Sequence, residues 1–275
     1  MVLLAQGVIK KMQTVLDTPV AYQLPIGEQC VPMNALIGQS LQLKYMGAIY
    51  CTHCGKKTKT SFAQGHCYVC MTTLAQCDTC IMSPERCHYA AGTCREPEWG
   101  DAHCMVDHIV YLANSSGLKV GITRGTQVPT RWMDQGAVAA VPLFRVSTRR
   151  LSGLLEVALK AYVSDKTSWQ KMLKGEPAAV DLSIEAARLQ ALIADDVVAL
   201  QAEYGLQAVQ AVTAASITEI QYPVLQYPVK VSSLNLEKTP EINGTLLGIK
   251  GQYLIFDVGV INLRKYPGYT LALSA

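Results

Sequence analysis

The stretch IVYLANSSGLKVGITRGTQVPTRWMDQGAVAAVPLFRVSTRRLSGLLEVALK, residues 109–160, decides how the chain is read. IVYLAN is strand-like, NSSG carries turn chemistry and LKVGIT is strand-like again, so the pattern predicts a β-hairpin. Pro129 suits a first helical turn and makes PTRWMDQGAV a short helix. AVPLFRVST has the β-branched and aromatic content of a third strand. From Arg149 to Ser164 the spacing is helical, with Leu151, Leu154, Leu155, Ala158 and Leu159 on one side. The predicted order is ββαβα, and Glu156 lies within the apolar part of the last helix. A charge among Leu154, Leu155, Val157 and Ala158 needs a partner or a metal.

Toward the C-terminus, residues 176–206 hold the longest helical pattern. It runs from 178 to 204, rich in Ala, Leu, Ile and Glu, with Asp181 or Ser183 at its start and Gly205 as a stop. Residues 207–275 follow as a β region: ITEIQYPVLQYPVKVSSLNL and GTLLGIKGQYLIFDVGVINL read as strands interrupted by Pro and Gly. Toward the N-terminus, residues 1–50 alternate turn signals with short apolar runs and also read as β-strands. The two terminal β regions are candidates to pack into one domain, since folded chain ends often meet. The expected class is α+β: β-rich terminal regions, an insert at 51–108, and the α/β core at 109–175.

The insert has almost no periodicity and cannot order itself by burial alone. It does hold nine of the ten cysteines, from Cys51 to Cys104, with Cys30 standing apart. In a chain read as cytoplasmic, clustered thiols are more often metal ligands than disulfides. Cys51-Thr-His-Cys54 and Cys67-Tyr-Val-Cys70 are two C-x-x-C knuckles separated by twelve residues, the pattern of a tetrahedral zinc ribbon. Thiolates suit iron–sulfur clusters as well, so the ligands are better defined than the metal. A second set follows, with Cys77, Cys80, Cys87 and Cys94 as the preferred ligands and Cys104, His88 or His103 as substitutes. Two structural zinc ions are expected. Such sites fold a domain and perform no chemistry of their own.

With 275 residues, half of them apolar and 16% charged, the chain can bury a core and is no disordered tail. No run reaches the roughly 18 apolar residues that a membrane helix requires. The opening MVLLAQGVIKK places its lysines after its apolar run, the reverse of a secretory signal, so a cytoplasmic protein without membrane partners is expected. Net charge is only +3, but residues 51–150 carry eleven Lys+Arg against seven Asp+Glu, so an electrostatic footprint belongs there. Lys56, Lys57 and Lys59 project from the loop between the first knuckles, where zinc ribbons often meet nucleic acid; a solvated loop is the simpler account of three lysines. There is no G-x-x-x-x-G-K-[ST] loop, so no nucleotide cofactor is expected, and no G-x-S-x-G elbow. Oligomeric state leaves no mark in the sequence.

Residues 109–160 resemble the GIY-YIG endonuclease core in element order and key residues. Val110-Tyr111-Leu112 stands at the first motif and Lys119-Val120-Gly121 at the second; Arg131-Trp132 falls on the next helix and Glu156 on the one after. The whole chain also resembles an uncharacterised bacterial family joining such a core to a cysteine-rich insert, through CHYAAGTCREPEWG and VYLANSSGLKVGITR. The resemblance implies a phosphodiesterase acting on RNA or DNA. Tyr111 would activate water or orient phosphate, Arg131 would stabilise the pentavalent oxygens, and Glu156 would hold Mg²⁺. Lys119 and Arg124 would add backbone contacts, with Arg145, Arg149 and Arg150 nearby. Lys119 replaces the tyrosine of the second motif, so a catalytically silent nucleic-acid-binding module is the alternative, with a protein-interaction scaffold as a third class.

Overall fold

The computed structural model describes residues 1–213 and 215–275. Strand Ser40–Tyr50 is the spine of the larger sheet, burying Leu41, Leu43 and Ile49 while Ser40 and Lys44 face water. It hydrogen-bonds Tyr269–Ser274 on one side and Glu241–Lys250 on the other. Leu3–Val8 extends the sheet beyond Tyr269–Ser274; Tyr253–Phe256 and Gly259–Asn262 extend it at the opposite edge. Strands from both ends of the chain therefore alternate in one sheet. A three-stranded sheet, Gln13–Val15, Ala21–Ile26 and Gln29–Pro32, lies against it. The crossing is tight enough that a Cβ on Gly7 would fall 2.4 Å from the Gly27 Cα, so a side chain has no room there.

The remaining sheet runs Val209–Ala211, Ala139–Val146, His108–Asn114, Leu118–Arg124, with Thr218–Glu219 also on Ala139–Val146. His108–Asn114 and Leu118–Arg124 form an antiparallel hairpin in unbroken register from His108↔Arg124 to Asn114↔Leu118. Helix Arg149–Leu159 starts at Thr148, whose hydroxyl accepts from the Leu151 amide. It buries Leu151, Leu155 and Leu159 against Val110, Leu112 and Val120 of the hairpin. All three sheets are antiparallel, and the class is α+β.

Two segments differ from their sequence patterns. The helical stretch 178–204 forms two helices, Leu182–Leu192 and Ala194–Tyr204. The break is at Ile193 (φ −109°, ψ 19°), whose side chain is fully buried with Leu182 and Leu189. Asp195 and Asp196 follow in the first turn of the new helix, where the backbone dipole favours carboxylates. The stretch ITEIQYPVLQYPVKVSSLNL supplies only strand Thr218–Glu219 and single bridges at Val224↔Gly248 and Ser233↔Val260. Pro223 and Pro228 have no amide to donate to a ladder.

The cysteine-rich insert contains the short helices Tyr68–Thr73 and Pro97–His103 and isolated 3₁₀ turns. It docks on helix Arg149–Leu159 at Gly153, where a Cβ would lie 2.5 Å from the Glu85 amide nitrogen and 2.7 Å from Pro84 Cβ. Among the described residues no helix is long and apolar enough to cross a membrane.

Candidate functional site

Cys51 follows the spine strand directly, and Cys70 lies on the short helix after Cys67. Gly55 turns the first knuckle at φ +70°, donating its amide to the Cys51 carbonyl at 2.9 Å. The Sγ atoms of Cys51, Cys54, Cys67 and Cys70 lie within 4.8 Å of one another. Cys54 and Cys67 are 3.9 Å apart, and a zinc tetrahedron with bonds of about 2.3 Å separates its sulfurs by about 3.8 Å. The four residues fit one tetrahedral metal ion, and none is in a disulfide. Burial opposes ionisation of Cys51, but the amides of Cys54, Cys67 and His53 outweigh it and bring the thiol down to about 6.

The later cysteines divide. Cys77 packs against Cys51, Cys70 and Leu74 of the first cluster. Cys80, Cys87, Cys94 and Cys104 line a separate small cavity with Asp78 and His88.

A cleft of about 650 Å³ opens between the hairpin, the insert and the terminal sheet. Lys119, Arg124, Arg131, Arg149 and Glu156 line it. Tyr111 does not line it: its ring is fully buried, and its hydroxyl donates to Gln135 Oε1 at 2.7 Å. Lys119 Nζ donates to the same oxygen at 2.7 Å, so one amide ties the two motif residues together. Gly121 is the cross-strand partner of Tyr111, and a Cβ there would meet Tyr111 Cζ at 2.7 Å. The glycine of Lys119-Val120-Gly121 thus makes room for the tyrosine ring.

The cleft is rich in cations. Among the described residues Lys119, Arg124, Arg131 and Arg149 make no ion pair with a carboxylate. Burial, then Arg131, pushes Lys119 down to about 8, against the pull of Glu156 and Asp165. Burial and then Arg131 also lower Arg264. Burial raises the Glu156 carboxyl, and Lys160, 3.6 Å away, opposes that rise. Lys160 reaches Asp165 at 3.0 Å as well, so the two carboxylates share one ammonium.

A family model described as a protein of unknown function, DUF2797, matches residues 38–271. The chain belongs to the DUF2797 family. No curated protein and no solved structure matches it.

The DUF2797 match spans the insert, the hairpin and most of the large sheet, so it contains nearly every residue around the cleft. Lys11 lies outside it and still reaches the site. It pairs with Asp134, whose other oxygen accepts from Gln252 Nε2 at 2.8 Å, and Arg264 stands 3.9 Å from the same carboxylate. Asp134 ends helix Thr130–Asp134, which carries Arg131, so this network clamps the Arg131 helix to the terminal sheet. Gln135, Lys11, Asp134, Lys160, Asp165 and Arg264 are absent from the sequence-based site. Asp134 and Gln135 follow Arg131 by three and four positions and Lys160 follows Glu156 by four, whereas Lys11, Asp165 and Arg264 had no such neighbour in the sequence-based site.

Other basic candidates stand away from the cleft. Arg145 is exposed and paired with Asp107. Arg150 is not part of the lining, and its Nε is buried with no partner. Lys56, Lys57 and Lys59 lie on the exposed loop beside the first thiol cluster, with Lys57 opposite Tyr50 in a two-residue ladder.

Proposed function

We propose that the cleft receives the phosphate backbone of a nucleic acid and acts on it as a metal-dependent phosphodiesterase of GIY-YIG-like type. One observation carries this reading: Lys119, Arg131 and Glu156, from one strand and two helices of the core, all line one open cleft of about 650 Å³ with excess positive charge. Crowded cations held away from carboxylates repel one another, and an anion relieves that repulsion. Arg131 offers a planar fork to non-bridging phosphate oxygens. Burial brings Lys119 down to about 8, so it gives up a proton more readily than an exposed lysine, and it lines the cleft where Tyr111 does not. Burial instead pushes the Tyr111 hydroxyl up to about 12, and its contact with Gln135 makes it a support for Lys119. Glu156, with Asp165 beside it, would hold Mg²⁺, which when bound would offset charge on the leaving oxygen.

A second reading, binding without cleavage, is favoured by the Glu156–Lys160 contact, which already gives the carboxylate a cation. The two readings separate in one experiment. Purified protein is given labelled single-stranded and duplex RNA and DNA with Mg²⁺ or Mn²⁺, and Glu156→Gln is run beside it. Metal-dependent cleavage lost in the variant supports the phosphodiesterase. Salt-sensitive binding equal in both proteins, with no cleavage, supports the silent module. Neither binding nor cleavage at low salt removes nucleic acid from the account.

A further inference from the structure

The cavity beside the cleft has a volume of about 10 Å³ and is lined by four thiols, those of Cys80, Cys87, Cys94 and Cys104. That is room for about one water-sized sphere, which suits a single ion. All four are free thiols. Four thiolates brought together without a cation would be costly; around a divalent ion they are favourable.

A counter-charge is already in place. Arg149 is buried, which weakens its hold on a proton, and Cys104 and Cys80 beside it oppose that loss. Its Nη2 donates to the Ile81 carbonyl at 2.7 Å, and its Nε is buried without a partner. Zinc with four thiolates has a net charge of about −2, which a neighbouring guanidinium offsets.

We infer that Cys80, Cys87, Cys94 and Cys104 form a second structural zinc site, with Cys77 outside it. Cys77 belongs to the packing around Cys51 and Cys70. Among the later residues, the ligand atoms of Asp78, Cys80 and His88 lie within 4.8 Å of one another, whereas the four thiols are joined by the cavity they line; Asp78 and His88 already have partners, including each other at 3.5 Å. Asp78 accepts from Arg95 Nε at 2.7 Å and from Thr79 Oγ1 at 3.1 Å. His88 Nδ1 meets Thr93 Oγ1 at 2.8 Å. They serve as outer supports. Arg95 also donates to the Met71 and Leu74 carbonyls beside the first cluster, so it links the two sites.

The second site also holds the wall of the cleft. The Arg149 amide donates to the Cys104 carbonyl at 2.8 Å, which joins the last ligand to the first residue of the Glu156 helix. Zinc bound there fixes the insert against that helix whatever chemistry the cleft performs.

The test is zinc determination on the purified full chain with peptide mapping of thiol reactivity. Wild type should hold two zinc ions, as should Cys77→Ser and His88→Ala. Cys80→Ser combined with Cys104→Ser should hold one, and so should Cys51→Ser combined with Cys54→Ser. Because a variant can fail to fold, the wild-type protein is also treated with N-ethylmaleimide before and after chelation of its zinc. Cys80, Cys87, Cys94 and Cys104 should become reactive together on chelation, whereas Cys30, exposed and outside the insert, should react at the same rate throughout. One zinc ion in wild type, loss of one zinc in Cys77→Ser or His88→Ala, or reactivity of the four that ignores chelation would overturn the assignment.

Discussion

Gly153→Ala puts two large effects of opposite sign against each other. In the interior of a solvated helix, alanine is favoured over glycine by about 1 kcal/mol. Gly153 is inside helix Arg149–Leu159, but it faces the insert. Its new methyl would stand 2.5 Å from the Glu85 nitrogen, 2.7 Å from Pro84 Cβ and 2.9 Å from the Pro84 carbonyl carbon. Two of those atoms are backbone and the third belongs to a proline ring, so no side chain can rotate away. Inserting a methyl into a closed contact costs about 1 to 3 kcal/mol, and contacts this short place the substitution toward the upper end. The expected net is a loss of about 1 to 2 kcal/mol once the helix preference is subtracted. Urea unfolding of zinc-loaded protein should show a lower midpoint with little change in slope. Faster alkylation of Cys87 and Cys94 should accompany it, because the 3₁₀ turn Pro84–Arg86 must move off the helix. A raised midpoint, as an exposed helical glycine would give, would refute the docking described here.

Lys119 and Gly121 provide further predictions. The folded pKa of Lys119 is about 8, below its ordinary value of 10.5, so folding releases its proton. The cost is fully present below pH 8 and disappears as pH rises toward the unfolded value, a total on the order of 3 kcal/mol. Wild type should therefore gain stability relative to Lys119→Met between pH 8 and 10, and a difference independent of pH over that window would show that the lysine is not buried as described. Gly121→Ala should cost about 1 to 3 kcal/mol by driving a methyl into the Tyr111 ring. It should also weaken polynucleotide retention by displacing Gln135 and Lys119, read by salt-dependent binding of the variant beside wild type; unchanged stability would show that the ring has room to move.

The hairpin was legible because its information is local. IVYLAN and LKVGIT have the alternation of strands, and three turn-type residues, Ser115, Ser116 and Gly117, separate them. The first thiol cluster was legible for the same reason: two short spacings place four sulfurs without help from the rest of the fold. The break at Ile193 was not, because helical propensity runs straight through it and only burial of that side chain singles it out. The division of the later cysteines was hidden too. Cys77 and Cys80 form a C-x-x-C pair in sequence, but the 3₁₀ turns Ala75–Cys77 and Thr79–Ile81 send the two thiols to different neighbours. Least visible was the network around Asp134. Lys11, Gln252 and Arg264 reach it from opposite ends of the chain, and only the shared sheet brings them together.

The interleaving of Ser40–Tyr50 with Glu241–Lys250 and Tyr269–Ser274 sets an order on biosynthesis. While the ribosome is still adding residues near 200, the early strand has neither long neighbour, whereas every thiol up to Cys104 has already emerged. Metal capture can thus precede closure of the large sheet. The nascent chain would then carry a ready-made rigid knot while its spine waits, exposed and unpaired, for the final seventy residues.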